Sequence, residues 1–201
     1  MTLTPQLVVM AKRPEMGRVK TRLAKGLGQA GATRFYRQTT QSLMRRVGTD
    51  PRWQTLLALS PDRAVFDTMP WPGPCLRVGQ GRGDLGHRMG RLMRDLPAGP
   101  VVIIGSDIPD ISARHIAAAF RALGRNDAVF GPSADGGYWL VGLKRVPRVR
   151  DIFGQVHWST DRSLEDTLRN VRNAGMRVAM LDVLHDIDTL DDFKSWKDRQ
   201  P

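Results

Sequence analysis

Short apolar runs alternate with stretches of helical spacing along the whole chain. Leu7–Ala11 and Val101–Gly105 are flat apolar runs of strand length, and Trp53–Leu59, Cys75–Val78, Ala128–Gly131, Trp139–Leu143 and Arg177–Leu181 read as further strands. Residues 30–47 set Ala32, Tyr36, Leu43 and Val47 on one helical face. Asp84 stands as an N-cap ahead of Leu85, Met89, Leu92 and Leu96 at i, i+4, i+7 and i+11. Ser112 precedes a helix carrying Ile116, Phe120 and Leu123. Thr160 precedes one through Leu164, Leu168 and Val171 that stops at Gly175. Thr189 with Asp192 has the pattern of a capping box for a C-terminal helix. Residues 60–74, rich in Pro and Gly, predict a loop with room for one short helix. The alternation predicts a three-layer α/β domain with a mostly parallel sheet, and Val101–Gly105 reads as its central strand. With no repeat and no linker, the expectation is one domain over residues 1–201.

Composition narrows the class. Of 201 residues, 41% are hydrophobic and 25% charged, which excludes disorder and fibrous structure as whole-chain readings. One cysteine, Cys75, excludes an internal disulfide and a cysteine-cluster metal site. The apolar runs are far too short to span a bilayer, and the charges near the N-terminus follow its apolar run, unlike a signal peptide. A cytoplasmic protein with no membrane partner is expected. The net charge of +11 is unevenly placed: residues 1–50 carry ten basic and two acidic side chains, residues 151–201 seven basic and ten acidic. A basic N-terminal quarter suits an anionic ligand. Nucleic acid is a poor fit, because aromatics make up 6% of the chain and no DNA- or RNA-binding module is recognisable.

In parallel sheets ligands gather at the carboxyl ends of the strands. After the first strand, the run Ala11-Lys12-Arg13-Pro14-Glu15-Met16-Gly17-Arg18-Val19-Lys20-Thr21-Arg22 packs five cations around one Gly. Backbone N–H groups near the Gly suit phosphate oxygens, Arg22 suits a bidentate clamp, and Lys12 and Lys20 suit point charges. After the fourth strand comes Gly105-Ser106-Asp107-Ile108-Pro109-Asp110. Ser112 already serves as the helix cap, which leaves Asp107 free to hold a hard divalent cation. Asp135-Gly136-Gly137-Tyr138 joins two strands and reads either as a hairpin turn or as a close backbone approach to a ligand. Asp186 and Asp188 share one side of an extended segment, and one of them is placed to share a cation with Asp107. The Gly-rich run from Gln80 to Met89, which holds Gly83 and Arg88, enters a helix and reads either as the lining of an acceptor or base pocket or as a flexible surface loop. Trp158 reads as a packing residue. His87, His115, His157 and His185 lack metal spacing, and no Ser-His-Asp elbow exists.

Five motifs occur in one order between residues 10 and 189: Met10 to Leu23, Gly105 to Asp110, Asp135 to Leu143, Trp158 to Thr160 and Asp186 to Thr189. Together they resemble the GT-A-type, selenodomain- or radical-SAM-associated glycosyltransferase-like group of the nucleotide-diphospho-sugar transferase superfamily. They are also similar to 2-phospholactate and molybdenum-cofactor guanylyltransferases. The resemblance implies a Rossmann-like α/β/α sandwich. Ala11, Lys12, Arg13, Gly17, Lys20, Arg22, Gly83, Arg88 and Ser106 would then bind the nucleotide, and Asp107 and Asp188 would hold magnesium or manganese. Asp135, Gly136, Gly137, Tyr138 and Trp158 would meet the acceptor, with Asp107, Asp135, Lys20 and Arg22 as catalytic residues.

Two reactions stay open on this reading. One is glycosyl transfer from an NDP-sugar to a small acceptor. The other is nucleotidyl transfer from an NTP to a small phosphorylated or carboxylated metabolite, with release of pyrophosphate.

Overall fold

A computed structural model describes residues 3–68, 71–72, 75–145 and 148–199. Seven strands form one sheet: β1 (Gln6–Lys12), β2 (Gln54–Ser60), β3 (Leu76–Gly79), β4 (Val101–Gly105), β5 (Ala128–Pro132), β6 (Tyr138–Leu143) and β7 (Val178–Met180). Their order is β3-β2-β1-β4-β6-β5-β7. All neighbouring pairs are parallel except those of β6, which runs against both β4 and β5. The expected mostly parallel α/β/α sandwich is the observed one. β4 is central as anticipated, although only its β1 side is a parallel pairing.

Alternation along the strands divides the core between two faces. Leu7, Val9 and Ala11 of β1 pack with Val102 and Ile104 of β4 against helices α1 (Thr21–Val47) and α3 (Ala113–Leu123). Val8, Val101 and Ile103 turn the other way. With Phe130 and Val141 they pack against Met89, Leu92 and Met93 of α2 (Leu85–Asp95) and Val171 of α4 (Ser163–Asn173). The last helix, α5 (Leu190–Asp198), lies off the sheet. Its Phe193 and Trp196 pack on Phe35 of α1, and a smaller cluster there buries Leu23 and Ile187.

Three local expectations change. The helix expected over residues 30–47 begins at Thr21 and breaks once, at Gly28, whose φ of 71° and ψ of 160° only Gly adopts readily. Gly26, Gly28 and Gly31 hide its first turns from a propensity argument, and those turns form because Leu23 is buried against the α5 layer. Thr160 does not cap α4. The helix starts after Arg162, and Thr160 Oγ1 instead accepts from the Arg162 N–H while donating to the His157 carbonyl. Leu85 is not core; it is largely exposed at the rim of a cleft. In the Pro/Gly-rich stretch a short 3₁₀ turn covers Asp62–Phe66, while residues 69–70 and 73–74 lie outside the described set. The caps expected from Asp84 and from Thr189 with Asp192 are present.

The segment leading into α4 is organised by a fully buried carboxylate. Asp166 accepts from the His157 backbone N–H at 3.1 Å and ring Nδ1 at 2.7 Å, and from Arg169 at 2.7 Å. These hydrogen bonds, from His157 first, hold its carboxyl well below its ordinary 3.8. A depressed native pKa contributes stability that is complete above the unfolded value and is lost as pH falls through the folded one. The variant Asp166→Asn is therefore expected to melt clearly below the wild type at pH 7. The gap in Tm should narrow as pH drops below 3.8, as read by thermal denaturation across a pH series.

Candidate functional site

The carboxyl ends of β1, β4 and their neighbours open into a cleft of about 580 Å³. Because β6 is reversed, its first residues, Tyr138 and Trp139, reach the same edge. Ala11, Lys12, Lys20, Thr21 and Arg22 line one wall, Gly105, Ser106 and Asp107 the floor, and Arg88 with Leu85 the far side. Asp188 closes it from the approach to α5.

Helix α1 fixes the floor. Tyr36 is buried, and its hydroxyl accepts from the Lys12 backbone N–H at 2.8 Å and lies 3.0 Å from Ser106 Oγ. One turn on, Thr40 Oγ1 donates to the Ser106 carbonyl at 3.3 Å. This i,i+4 pair clamps the ends of β1 and β4 together. On the far side, the buried Gln80 amide donates to the carbonyls of Ala11 and Ala58, and Arg88 Nε donates to the Gly83 carbonyl at 3.0 Å. Gly83 has a φ of 92°, and an added Cβ would come within 2.8 Å of the His87 Cβ. The run expected to enter a pocket is thus a tight turn that aims Arg88.

The centre of the cleft is electrostatic. Lys20 Nζ donates to Asp107 Oδ2 at 2.9 Å and to Asp188 Oδ1 at 2.7 Å, and its side chain is only 4% exposed. Burial alone would lower the Lys20 pKa, but the two carboxylates outweigh it and hold the ammonium above its ordinary value. Arg22 stands 3.5 Å from Asp188 and is largely exposed. Asp188 is itself held by α5, since Asp192 accepts from the backbone N–H groups of Asp188 and Thr189. The loop carrying Asp107 is pinned by Arg46, which donates to the carbonyls of Pro109 and Ile111.

A second recess of about 470 Å³ adjoins and shares Arg22 and Asp188; Asp135 and Asp186 line it. Burial, then the charges of Asp188, Asp135 and Asp107, push the Asp186 carboxyl up to about 6 against the opposing charge of Lys20. The Asp135 segment is a hairpin turn between β5 and β6. Asp135 Oδ1 accepts from Ser133 Oγ and from the Gly137 N–H. At Gly136, with φ of 82°, an added Cβ would collide with the Asp161 backbone.

The structure brings together Ala11, Lys12, Lys20, Arg22, Arg88, Ser106, Asp107, Tyr138 and Asp188 around the cleft, with Asp135 beside it. Six residues of the expected set line neither the cleft nor the recess: Gly83, Gly136 and Gly137, which shape the turns beside them, and Arg13, Gly17 and Trp158. Arg13 is occupied by ion pairs to Glu15 and Asp67. Gly17 turns the chain beside Gln29. Trp158 packs over Gly86, near Phe153 and Tyr138, behind the cleft wall. Sequence reasoning missed Tyr36, Thr40 and Gln80 as organisers of the site. A Tyr among the core positions of a helix was the one available signal, since a buried hydroxyl needs a partner.

Among the described residues no group of three or more His, Cys, Asp and Glu is arranged to hold a metal ion. The donor chemistry still fits one. Two carboxylates, Asp107 and Asp188, converge on a single cation position, an arrangement that suits magnesium when substrate phosphates complete its shell.

This mixed α/β sheet flanked by helices is the nucleotide-diphospho-sugar transferase fold of the GT-A-like superfamily. Within it the chain belongs to the DUF2064 family, described as an uncharacterised protein conserved in bacteria, whose model matches residues 43–160. It is similar to a crystal structure from Desulfovibrio desulfuricans G20, provisionally named a nucleotide-diphospho-sugar transferase. That pair shares 29% identity over 96% of this chain and 87% of the other, with a TM-score of 0.87. More distant likenesses support the fold alone. Rv0371C from Mycobacterium tuberculosis H37Rv, in complex with manganese, shares 19% identity over 98% of this chain and 100% of the other (TM-score 0.54). CMP:2-keto-3-deoxy-manno-octonic acid synthetase complexed with CTP shares 10% over 98% of each (TM-score 0.57). No curated protein sequence matches the chain. No helix among the described residues is long and apolar enough to cross a membrane.

Two outcomes follow from the geometry. Tyr36→Phe strands the Lys12 N–H and the Ser106 hydroxyl, and should cost about 1–3 kcal/mol in urea unfolding. Arg22→Ala should weaken binding of nucleoside di- or triphosphates by about tenfold or more in calorimetry, the scale of one hydrogen bond between charged groups. Exposed Arg148→Ala should change it by less than about twofold if a pocket rather than overall charge does the binding.

Proposed function

We propose that the protein is a metal-dependent transferase that moves a glycosyl group from a nucleotide-diphospho-sugar to a small acceptor. The observation that carries this reading is the convergence of Lys12, Lys20, Arg22 and Arg88 with Asp107 and Asp188 in one cleft at the carboxyl edge of the sheet. The 29% identity to a protein provisionally named a nucleotide-diphospho-sugar transferase supports it.

On this reading Lys12, Arg22 and Arg88 bind the donor's diphosphate and stabilise the charge it gains on leaving. Asp107 and Asp188 would hold magnesium or manganese, which would supply further neutralisation of the leaving diphosphate. The acceptor lies in the adjoining recess. Asp135 Oδ1 is tied to Ser133 and Gly137, so its other oxygen takes the proton of the acceptor hydroxyl. The acceptor oxygen bonds to the anomeric carbon, the bond from that carbon to the diphosphate breaks, and NDP departs.

Two observations favour nucleotidyl transfer as a second reading. Four cations line the cleft, a number suited to a triphosphate, and the β4 loop offers one carboxylate rather than an Asp-x-Asp pair. After Asp107 comes buried Ile108, and the charge of Asp110 acts on Arg46, away from the cleft. In that reaction a phosphate or carboxylate oxygen bonds to the α-phosphorus and pyrophosphate leaves.

Incubation with NDP-sugars and NTPs, magnesium or manganese, and a panel of small hydroxyl, phosphate and carboxylate acceptors separates the two. Release of NDP supports glycosyl transfer, and release of pyrophosphate supports nucleotidyl transfer. No turnover with either donor class counts against both. Whichever product appears, Asp107→Asn should lower turnover by about 100-fold or more, and because it takes one charged partner from buried Lys20 it should also lower the Tm, so turnover is compared at a temperature where the variant is fully folded.

A further inference from the structure

We propose that the Lys20 ammonium occupies the cation position between Asp107 and Asp188, so that a divalent metal enters only as nucleotide phosphates draw the lysine out. The proposal deepens the metal-site reading above and rests on it.

Geometry makes lysine and metal exclusive. Nζ lies 2.9 Å from Asp107 Oδ2 and 2.7 Å from Asp188 Oδ1. A magnesium ion needs oxygen ligands at about 2.0–2.1 Å. Set between the same two oxygens, it would crowd Nζ and take up the lone pairs that now accept from the ammonium. Two cations at that separation, in a pocket that leaves Lys20 only 4% exposed, repel far more strongly than they would in water.

The lysine also has a reason to stay and a place to go. Lys20 is a non-Gly residue in the left-handed region, φ 46° and ψ 48°, at the N-cap of α1. Such a conformation persists where surrounding contacts over-determine it, and here the side-chain ion pairs are the contacts. Lys12 and Arg22, on the same connection, line the cleft beside it. A polyphosphate bound there is an anion of higher charge than one carboxylate, and it gives the Lys20 ammonium a new partner. The same phosphates supply the ligands that two carboxylates alone leave missing. Phosphate and metal therefore bind as a coupled pair, each raising the affinity of the other.

The test is a manganese titration without nucleotide, followed by the paramagnetic resonance signal of free Mn²⁺. The expected result is weak binding to the wild type and binding at least about tenfold tighter to Lys20→Met, since a like charge is removed from the site itself. Lys20→Gln repeats the neutral substitution should the methionine variant fold poorly. Arg22→Met is the control: it removes a cation 3.5 Å from Asp188 without vacating the position between the carboxylates, and should change affinity by less than about threefold. Adding Asp107→Asn to Lys20→Met should abolish the gain. An equal gain in Arg22→Met would overturn the proposal in favour of general charge. Tight binding to both the wild type and Lys20→Met would overturn it while leaving the metal site standing. No binding by either folded Lys20 variant would overturn both the proposal and the metal site.

Discussion

An ammonium group that is almost wholly withdrawn from water is tolerable only with full compensation. Lys20 obtains it from two carboxylates that lie 87 and 168 positions further along the chain. That requirement ties the β1–α1 connection, the end of β4 and the approach to α5 at one point. Much of the surrounding architecture serves it. Tyr36 and Thr40 hold the two strand ends in register, Arg46 fixes the loop beyond Asp107, and Asp192 fixes the backbone of Asp188. Helix α5, which contributes nothing to the sheet, has its reason here: its aromatic contacts with α1 keep the third corner in place.

The uneven charge along the chain takes on a spatial meaning. The basic N-terminal quarter supplies Lys12, Lys20 and Arg22, and the acidic C-terminal quarter supplies Asp186 and Asp188, and they meet around one cleft and its adjoining recess. Part of the cationic surplus is thus matched within the molecule. Lys12 and Arg88 line the same cleft.

The fold was largely legible because the core strands announce themselves by flat apolar runs and the helices by caps at Asp84, Ser112 and Thr189. Illegible parts share a cause: they depend on partners distant in sequence. The first turns of α1 are Gly-rich and form only against α5. Thr160 has the chemistry of a cap but finds the His157 carbonyl first. At the site, charged residues at strand ends were readable from position alone, as with Lys20, Asp107 and Asp188. Tyr36, Thr40 and Gln80 were not, because each bonds to backbone carbonyls or amides, or to a serine hydroxyl, that no local pattern reveals. Arg13 and Trp158 belong to the readable motifs, yet neighbouring acids and an underlying glycine carry them away from the cleft.

The reversal of β6 separates two kinds of change that a protein of this shape can undergo. Its hairpin with β5 begins and ends at the ligand edge, so residues added between Ser133 and Gly137 would project outward without shifting the register of the pairing behind them. The floor of the cleft, by contrast, is built on strand ends locked through the helix layer. Length can therefore change in that turn while the clamped strand ends stay as they are, although Gly136 within it, packed on the Asp161 backbone, leaves no room for a side chain.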